Sequence, residues 1–345
     1  MDMPTAIARV IARNDLARKE MNEVMRLIMT GEASEAQVGG FLVGLRMKGE
    51  SVDEITGAAE IMRELAAHVE VDQHLLVDTC GTGGSGSGKF NVSTASSFVT
   101  AASGARVAKH GNRAASSKSG SADVLEVAGA EIMLSPNQVA RCIDTVGVGF
   151  MFAVSHHSAM KHAIGPRREM VVRTIFNMLG PLTNPARAQR QILGVYDGSL
   201  VRVAAEVLSQ LGSEHVMVVH SEDGLDEISI NSPTHVAELK GGKIIEYEVT
   251  PEDFGLPRCS LVALQADDAE RSLALVEAAL SGSHEGASNI VVLNAGAAIY
   301  VSGQALTLEA GIEMAKDAIS SGLATEKMKE FVDFTQQIAS SEADG

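Results

Sequence analysis

The sequence predicts an α/β protein in two parts, a small all-helical domain and a larger α/β domain with a central, largely parallel sheet. Three observations carry this prediction. The first 70 residues show helical periodicity and no strand pattern; after His74 short apolar runs alternate with helical stretches. The length of 345 residues also suits about two domains at roughly 150 residues each.

The elements follow in order. Met21, Val24, Met25, Ile28 and Met29 repeat at the spacing of one buried helical face, and Gly31 stops that helix. Ser34 with Gln37, and Ser51 with Glu54, have the spacing of capping boxes that open two more helices. Leu75-Leu76-Val77 is a short strand running into a Gly-rich loop, and Ser93 to Ser103 is helical. Val107-Ala108 predicts a second strand and Ala122 to Ala128 a further helix. Strands are expected at Phe150–Val154, Gln191–Tyr196 and Val216–Val219. Val236–Leu239 and Ile244–Val249, joined by Lys240–Lys243, read as a hairpin. The C-terminal stretches around 269–281, 309–320 and 325–338 are helical, ending in a frayed tail at Ser340–Gly345.

Charge is distributed unevenly. The formal net charge is −16, with 45% hydrophobic and 21% charged residues. Residues 1–78 carry a net of −6, residues 79–196 a net of +7 and residues 197–345 a net of −17. From Thr79 to Ala122 there is no Asp or Glu at all. An acid-free stretch in an acidic protein points to a site for a highly anionic ligand, while the acidic total argues against non-specific binding of nucleic acid or anionic membranes. Cys80, Cys142 and Cys259 lie far apart, with neither metal-ligand spacing nor the number a disulfide framework needs. No apolar run has the roughly 18 residues of a membrane span, and MDMPTAIARV has no signal-peptide pattern. A cytoplasmic location is therefore expected.

Three clusters carry the chemistry. Residues 81–91 read GTGGSGSGKFN. The fingerprint Gly81-x-Gly83-x-x-Gly86 lacks the acidic residue that a dinucleotide fold places at the end of the next strand, which here ends at Lys109-His110. Gly83-x4-Gly88-Lys89 imitates a nucleotide P-loop, but Phe90 stands where a magnesium-binding Ser or Thr is required. Both motifs are rejected, yet glycines that let backbone amides converge, followed by a helix N-terminus near Ser93-Thr94, still make a phosphate cradle. The second cluster, residues 109–123, supplies Lys109, His110, Arg113 and Lys118 with hydroxyls at Ser116, Ser117, Ser119 and Ser121. Two such loops suit a ligand with two separate phosphate groups. In the third, Asp226 and Glu227 are adjacent carboxylates after a strand, of the kind that holds magnesium together with substrate phosphates.

The strings GTGG…FNVST, KHGNR…SSKSGSAD, GPRRE…RTIFNMLGPLTNPA and HSEDGLDEIS resemble the anthranilate phosphoribosyltransferases, collinearly from about residue 4 to residue 338. The resemblance implies the nucleoside phosphorylase / phosphoribosyltransferase class of fold. Its helical domain would be 1–72, joined by helices from about 163–190. Residues 73–162 and 191–345 would form the phosphoribosyl-binding domain. It implies transfer of the phosphoribosyl group of phosphoribosyl pyrophosphate (PRPP) to the amine of anthranilate, with Mg2+ as cofactor and a homodimer formed through the helical domain.

By the same resemblance Gly81, Thr82, Gly83, Gly84, Asn91, Val92, Ser93 and Thr94 would face the pyrophosphate, and Ser85 and Lys89, where this chain departs from the family, are expected beside it. Lys109, His110, Gly111, Asn112, Arg113, Ser116, Ser117 and Ser121 would hold the sugar and phosphates. Gly81, Asn112 and Arg167 would contact anthranilate, Arg167 through bidentate pairing with its carboxylate. Ser93, Asp226 and Glu227 would bind the metal. No general base is assigned; His110 and Arg167 are the candidates nearest the chemistry, and His156 and His157 read as packing or polar-network residues. The usual family loop is GTGGD, whereas this chain has Ser85 and, four residues on, Lys89 in place of a small polar residue. Lys89 is therefore expected to pair directly with phosphate. A pyrimidine nucleoside phosphorylase and a non-catalytic nucleic-acid-binding relative are the alternative readings; the Asp226-Glu227 pair and the acidic flanks count against them.

Overall fold

The computed structural model describes residues 1–84, 88–114 and 118–343. The chain opens with four helices: α1 (Met3–Ile11), α2 (Arg18–Met29), α3 (Glu35–Lys48) and α4 (Val52–Glu64). Both predicted capping boxes form. Ser34 Oγ accepts from the Gln37 amide at 3.3 Å while Gln37 Oε1 accepts from the Ser34 amide at 3.0 Å. In the second box Glu54 does more than cap. Its buried carboxylate accepts from the Ser51 amide (2.8 Å), the Leu16 amide (2.9 Å) and Lys48 Nζ (2.8 Å), tying α3 and α4 to the α1–α2 connection at one point. A buried carboxylate is tolerated because every oxygen is engaged. The methionine stripe of α2 is buried within this chain, so it belongs to the core and is not a docking face.

The rest of the chain builds one seven-stranded sheet. In order come β1 (Leu76–Gly81), α5 (Val92–Ala102), β2 (Arg106–Gly111), α6 (Ser121–Val127), α7 (Pro136–Val146), β3 (Val148–Phe152), α8 (Ala153–His156), α9 (Lys161–Met170) and α10 (Phe176–Leu179). Then follow β4 (Arg190–Gly194), α11 (Leu200–Gln210), β5 (His215–Ser221), β6 (Thr234–Lys240), β7 (Lys243–Val249), α12 (Ala269–Leu280), α13 (Glu285–Ser302), α14 (Leu308–Ser320) and α15 (Leu323–Ala343). The strand order is β3-β2-β1-β4-β5-β6-β7; the first five strands are mutually parallel and the hairpin β6–β7 adds on antiparallel. The hairpin turns at Gly241 and Gly242, so its strands run to Lys240 and from Lys243.

Alternation along β4 and β5 sends side chains to two cores. Ile192, Met217 and Val219 face a cluster completed by α5 and α12–α15, whereas Leu193, Val216 and Val218 face α11 and the N-terminal helices. Helix α9 packs against α2 and α3: a Cβ at Gly31 would lie 2.6 Å from the His162 ring, and one at Gly165 2.7 Å from Glu35 Oε1. The strand order reverses between β1 and β4, and open α/β sheets bind ligands beyond the strand carboxyl ends at such a reversal.

Candidate active site

The carboxyl ends of the parallel strands open onto a cavity of about 590 Å³. Gly81 at the end of β1 is paired with Gly194 at the end of β4, and the Asp226-Glu227 loop folds over this pair. A Cβ at Gly194 would overlap the Asp226 carbonyl oxygen, and a Cβ at Gly81 would stand 2.7 Å from Asp226 Oδ2, so both positions need glycine to let the acidic loop in. The glycine loop is then fastened at several points. Thr82 donates its amide to the Gly194 carbonyl (2.9 Å) and accepts the Tyr196 amide on its hydroxyl (3.0 Å). Gly83 and Gly84 take positive φ, and the Gly83 amide donates to Asp226 Oδ2 at 3.0 Å.

Helix α5 begins at the far side of this loop. The Asn91 side chain does not cap it; Asn91 Oδ1 instead accepts from the hydroxyls of Ser119 (2.8 Å) and Ser272 (2.7 Å). The first turn of α5 therefore presents Val92 and Ser93 to the cavity with the positive end of its dipole. Lys109, buried at the end of β2, donates to the Thr79 carbonyl (2.7 Å) and Ser93 Oγ (3.2 Å), and burial lowers its pKa below the ordinary lysine value. Beneath it Asp78, fully buried, accepts from the His110 amide and from Gln191 Nε2.

Within the acidic pair, Glu227 is strongly perturbed. Burial pushes the Glu227 carboxyl up to about 7, helped by Asp226 and opposed by Lys89, Lys109 and the Ser93 amide. Lys89 Nζ lies 2.6 Å from Asp226 Oδ1. Burial pulls the Lys89 pKa down, but Asp226, Glu227 and Asp223 outweigh this and hold it above its ordinary value. The expected lysine–phosphate partner is thus in contact with a carboxylate.

The cavity brings together Gly81, Thr82, Gly83, Gly84, Lys89, Asn91, Val92, Ser93, Lys109, His110, Gly111, Asn112, Arg113, Ser121, Arg167, Asp226 and Glu227. Thr94 is not on its wall: its side chain is buried in α5 and its hydroxyl has no protein partner among the described residues. Ser85, Ser116 and Ser117 lie outside the described residues. Arg113 lines the cavity, but its guanidinium pairs with Asp123 (3.0 Å) and Glu126 (2.6 Å) of α6. Arg167 lies 5.1 Å from the Phe176 ring centroid and has no acidic partner among the described residues; burial lowers its pKa. His110 is neutral at pH 7, because burial and then His157 and His156 drive its pKa well below the usual histidine value. Its Nε2 and those of His156 and His157 have no partner among the described residues.

Two polar wall residues escaped the sequence reading. Arg173 stacks 4.1 Å from the Tyr196 ring centroid and donates to the Gly84 carbonyl, and Asn177 lies in α10 four residues on. Both sit inside the RTIFN string, but a stack between residues 23 positions apart leaves no local signal. Among the described residues no group of three or more His, Cys, Asp or Glu side chains is placed to hold a metal by itself, and no helix is long and apolar enough to cross a membrane.

Comparison with known proteins agrees with this architecture. Residues 4–66 match the helical bundle domain of the glycosyl transferase family, and residues 73–325 match its a/b domain. The anthranilate phosphoribosyltransferase of Cellvibrio japonicus is 61% identical over 98% of this chain and 100% of its own length. That of Marinomonas sp. is 61% identical over 97% of this chain and 98% of its own. The crystal structure of the Thermus thermophilus enzyme superposes with a TM-score of 0.91 at 41% identity, covering 96% of this chain and 99% of that one. The Saccharomyces cerevisiae enzyme in complex with PRPP and Mg shares the fold, with a TM-score of 0.88 at 23% identity over 97% and 98% of the two chains. The chain belongs to the anthranilate phosphoribosyltransferase family.

Proposed function

We propose that this chain transfers the phosphoribosyl group of PRPP to the amine of anthranilate, forming N-(5-phosphoribosyl)anthranilate and pyrophosphate. The observation that carries the proposal is the meeting, in one cavity, of two amide- and cation-rich loops, a carboxylate pair and a half-buried arginine without an acidic partner among the described residues. The loop 81–84 with the start of α5 would take the diphosphate, and Lys109 to Arg113 with Ser121 the sugar and its 5-phosphate. The relatives' names support the reaction, and the yeast relative that shares the fold is itself in complex with PRPP and Mg.

In the transfer the ribose C1–O bond to the diphosphate breaks and a C1–N bond to the amine forms. The amine, neutral before attack, loses one proton afterwards, which passes to the released diphosphate or to water. The chain's contribution is electrostatic and geometric. Loop amides and Lys109 stabilise the negative charge that grows on the departing diphosphate. Arg167, with Asn112, would fix the anthranilate carboxylate so that the amine points at C1. His110 is neutral and its Nε2 is buried without a partner among the described residues, so it is poorly placed to take a proton and is assigned to positioning.

Asp226, Glu227 and the nearby Ser93 fit magnesium. The set is all oxygen and too small to cage an ion alone, as expected for a metal shared with substrate phosphates. Magnesium bound there supplies charge neutralisation for the leaving diphosphate. The domain division expected from the family, 1–72 with about 163–190 against 73–162 with 191–345, is retained as part of the proposal and is supported by α9 packing on α2 and α3. A homodimer through the helical domain is proposed as well. Its apolar contact cannot be the buried α2 stripe; Ile11, Val43 and Met47 are the exposed apolar side chains of α1 and α3. The test is to mix purified protein with anthranilate, PRPP and Mg2+ and follow anthranilate fluorescence. The signal should fall, and only when PRPP is present; no fall would reject the reading.

A further inference from the structure

Lys89 is aimed rather than loose. Its backbone is clamped against residues 264–266: Phe90 donates to the Leu264 carbonyl at 2.9 Å, Ala266 to the Gly88 carbonyl at 2.8 Å, and Lys89 itself bridges to Gln265. The side chain is 13% exposed and Asp226 is 7% exposed, so the 2.6 Å contact between them is largely shielded from water. Both Asp226 oxygens are engaged, Oδ1 by Lys89 and Oδ2 by the Gly83 amide. The other cavity cations stand elsewhere: Lys109 on Thr79 and Ser93, Arg113 on α6, Arg167 over Phe176 and Arg173 over Tyr196.

We infer that Lys89 is a built-in counter-ion that holds the Asp226 carboxylate until a divalent cation and a diphosphate arrive together, and then passes to the diphosphate oxygens. The inference rests on the reading of Asp226 and Glu227 as metal ligands. A magnesium ion needs its oxygen ligand within about 2.1 Å, which would set it within about 5 Å of an ammonium still bound to that carboxylate. Two cations so placed repel strongly in a poorly hydrated site. A diphosphate removes the conflict, because it offers the lysine a new acceptor and the metal further oxygens. The expected consequence is weak binding of metal alone and cooperative binding of metal with diphosphate.

The test is a titration of Mn2+ in the absence of PRPP, reading free Mn2+ by electron paramagnetic resonance. The proteins are the parent chain, Lys89→Met, Asp226→Asn, the double variant and Lys89→Arg. Circular dichroism melting checks that each is folded; Lys89→Gln carries the same test if the methionine variant does not fold. Lys89→Met should bind Mn2+ about tenfold more tightly than the parent. The gain should vanish in the double variant, and Lys89→Arg should match the parent. At saturating Mn2+, pyrophosphate affinity measured by calorimetry should fall about tenfold in Lys89→Met. Equal Mn2+ affinity of parent and Lys89→Met, with weaker binding in the double variant, would overturn the lysine inference and leave the metal site standing. Equal affinity across all five proteins would remove Asp226 as a ligand and overturn both. Unchanged pyrophosphate affinity would overturn the hand-over.

Discussion

At the scale of single residues, the site depends on charges whose partners are chosen by burial. Arg167 is half-buried without an acidic partner among the described residues, an arrangement that favours an incoming carboxylate. Arg167→Ala should raise the KM for anthranilate about 10- to 100-fold, the worth of a charge-assisted hydrogen bond, with little change in the KM for PRPP. Steady-state kinetics with each substrate varied separately checks this. Far from the cavity, Glu238 shows the same logic serving stability. Burial pushes its carboxyl up, but hydrogen bonds from His215 (2.8 Å), Tyr247 (2.7 Å) and Tyr300 (2.8 Å) outweigh this and hold it down at about 2. A carboxylate whose folded pKa is depressed adds stability above its unfolded pKa, near 4.5, and loses it as the pH falls toward 2. Glu238→Gln should therefore cost on the order of 2–3 kcal/mol at pH 7 and progressively less below pH 4.5. Urea unfolding of both proteins between pH 7 and pH 3 measures the difference.

Among the elements, those with local signals are legible in the sequence and those defined by their surroundings are not. The capping boxes at Ser34 and Ser51 and the hairpin around Gly241-Gly242 form at the places read from sequence, because caps and turns depend on residues within a few positions. Helix α13 leaves no such signal. It is buried on nearly every side, so Ile290–Ile299 has no polar face and therefore no helical periodicity to detect. The two candidate phosphate loops and the acidic pair are also legible, from glycine density and from the acid-free stretch. The Lys89–Asp226 contact spans 137 positions and the Arg173–Tyr196 stack crosses from the α9–α10 connection to the end of β4; neither has a local pattern. Helix α13 also carries a packing prediction. A Cβ at Gly296 would lie 2.5–2.8 Å from Ile312, including its backbone, and Gly311 packs in return against the Gly296 carbonyl. Gly296→Ala should destabilise the chain by about 1–3 kcal/mol through overpacking of α13 on α14, read as a lower urea midpoint.

For the whole molecule, the net charge of −16 is the sum of a +7 segment between flanks of −6 and −17. Folding converts that linear pattern into a cavity where the basic segment's lysines and arginines meet two carboxylates from the acidic C-terminal part. The exposed apolar residues Ile11, Val43 and Met47 lie on two adjacent helices of the helical part. For the homodimer proposed through this face, Met47→Glu should shift the mass toward that of the monomer in light scattering after size exclusion, without loss of helical circular dichroism. The central claim, however, is the reaction itself, and its most direct test is stoichiometric. With PRPP and Mg2+ present, pyrophosphate released should equal anthranilate consumed, one for one, and omission of anthranilate should stop the release. Pyrophosphate release that continues without anthranilate, or anthranilate that disappears without pyrophosphate, would contradict the account.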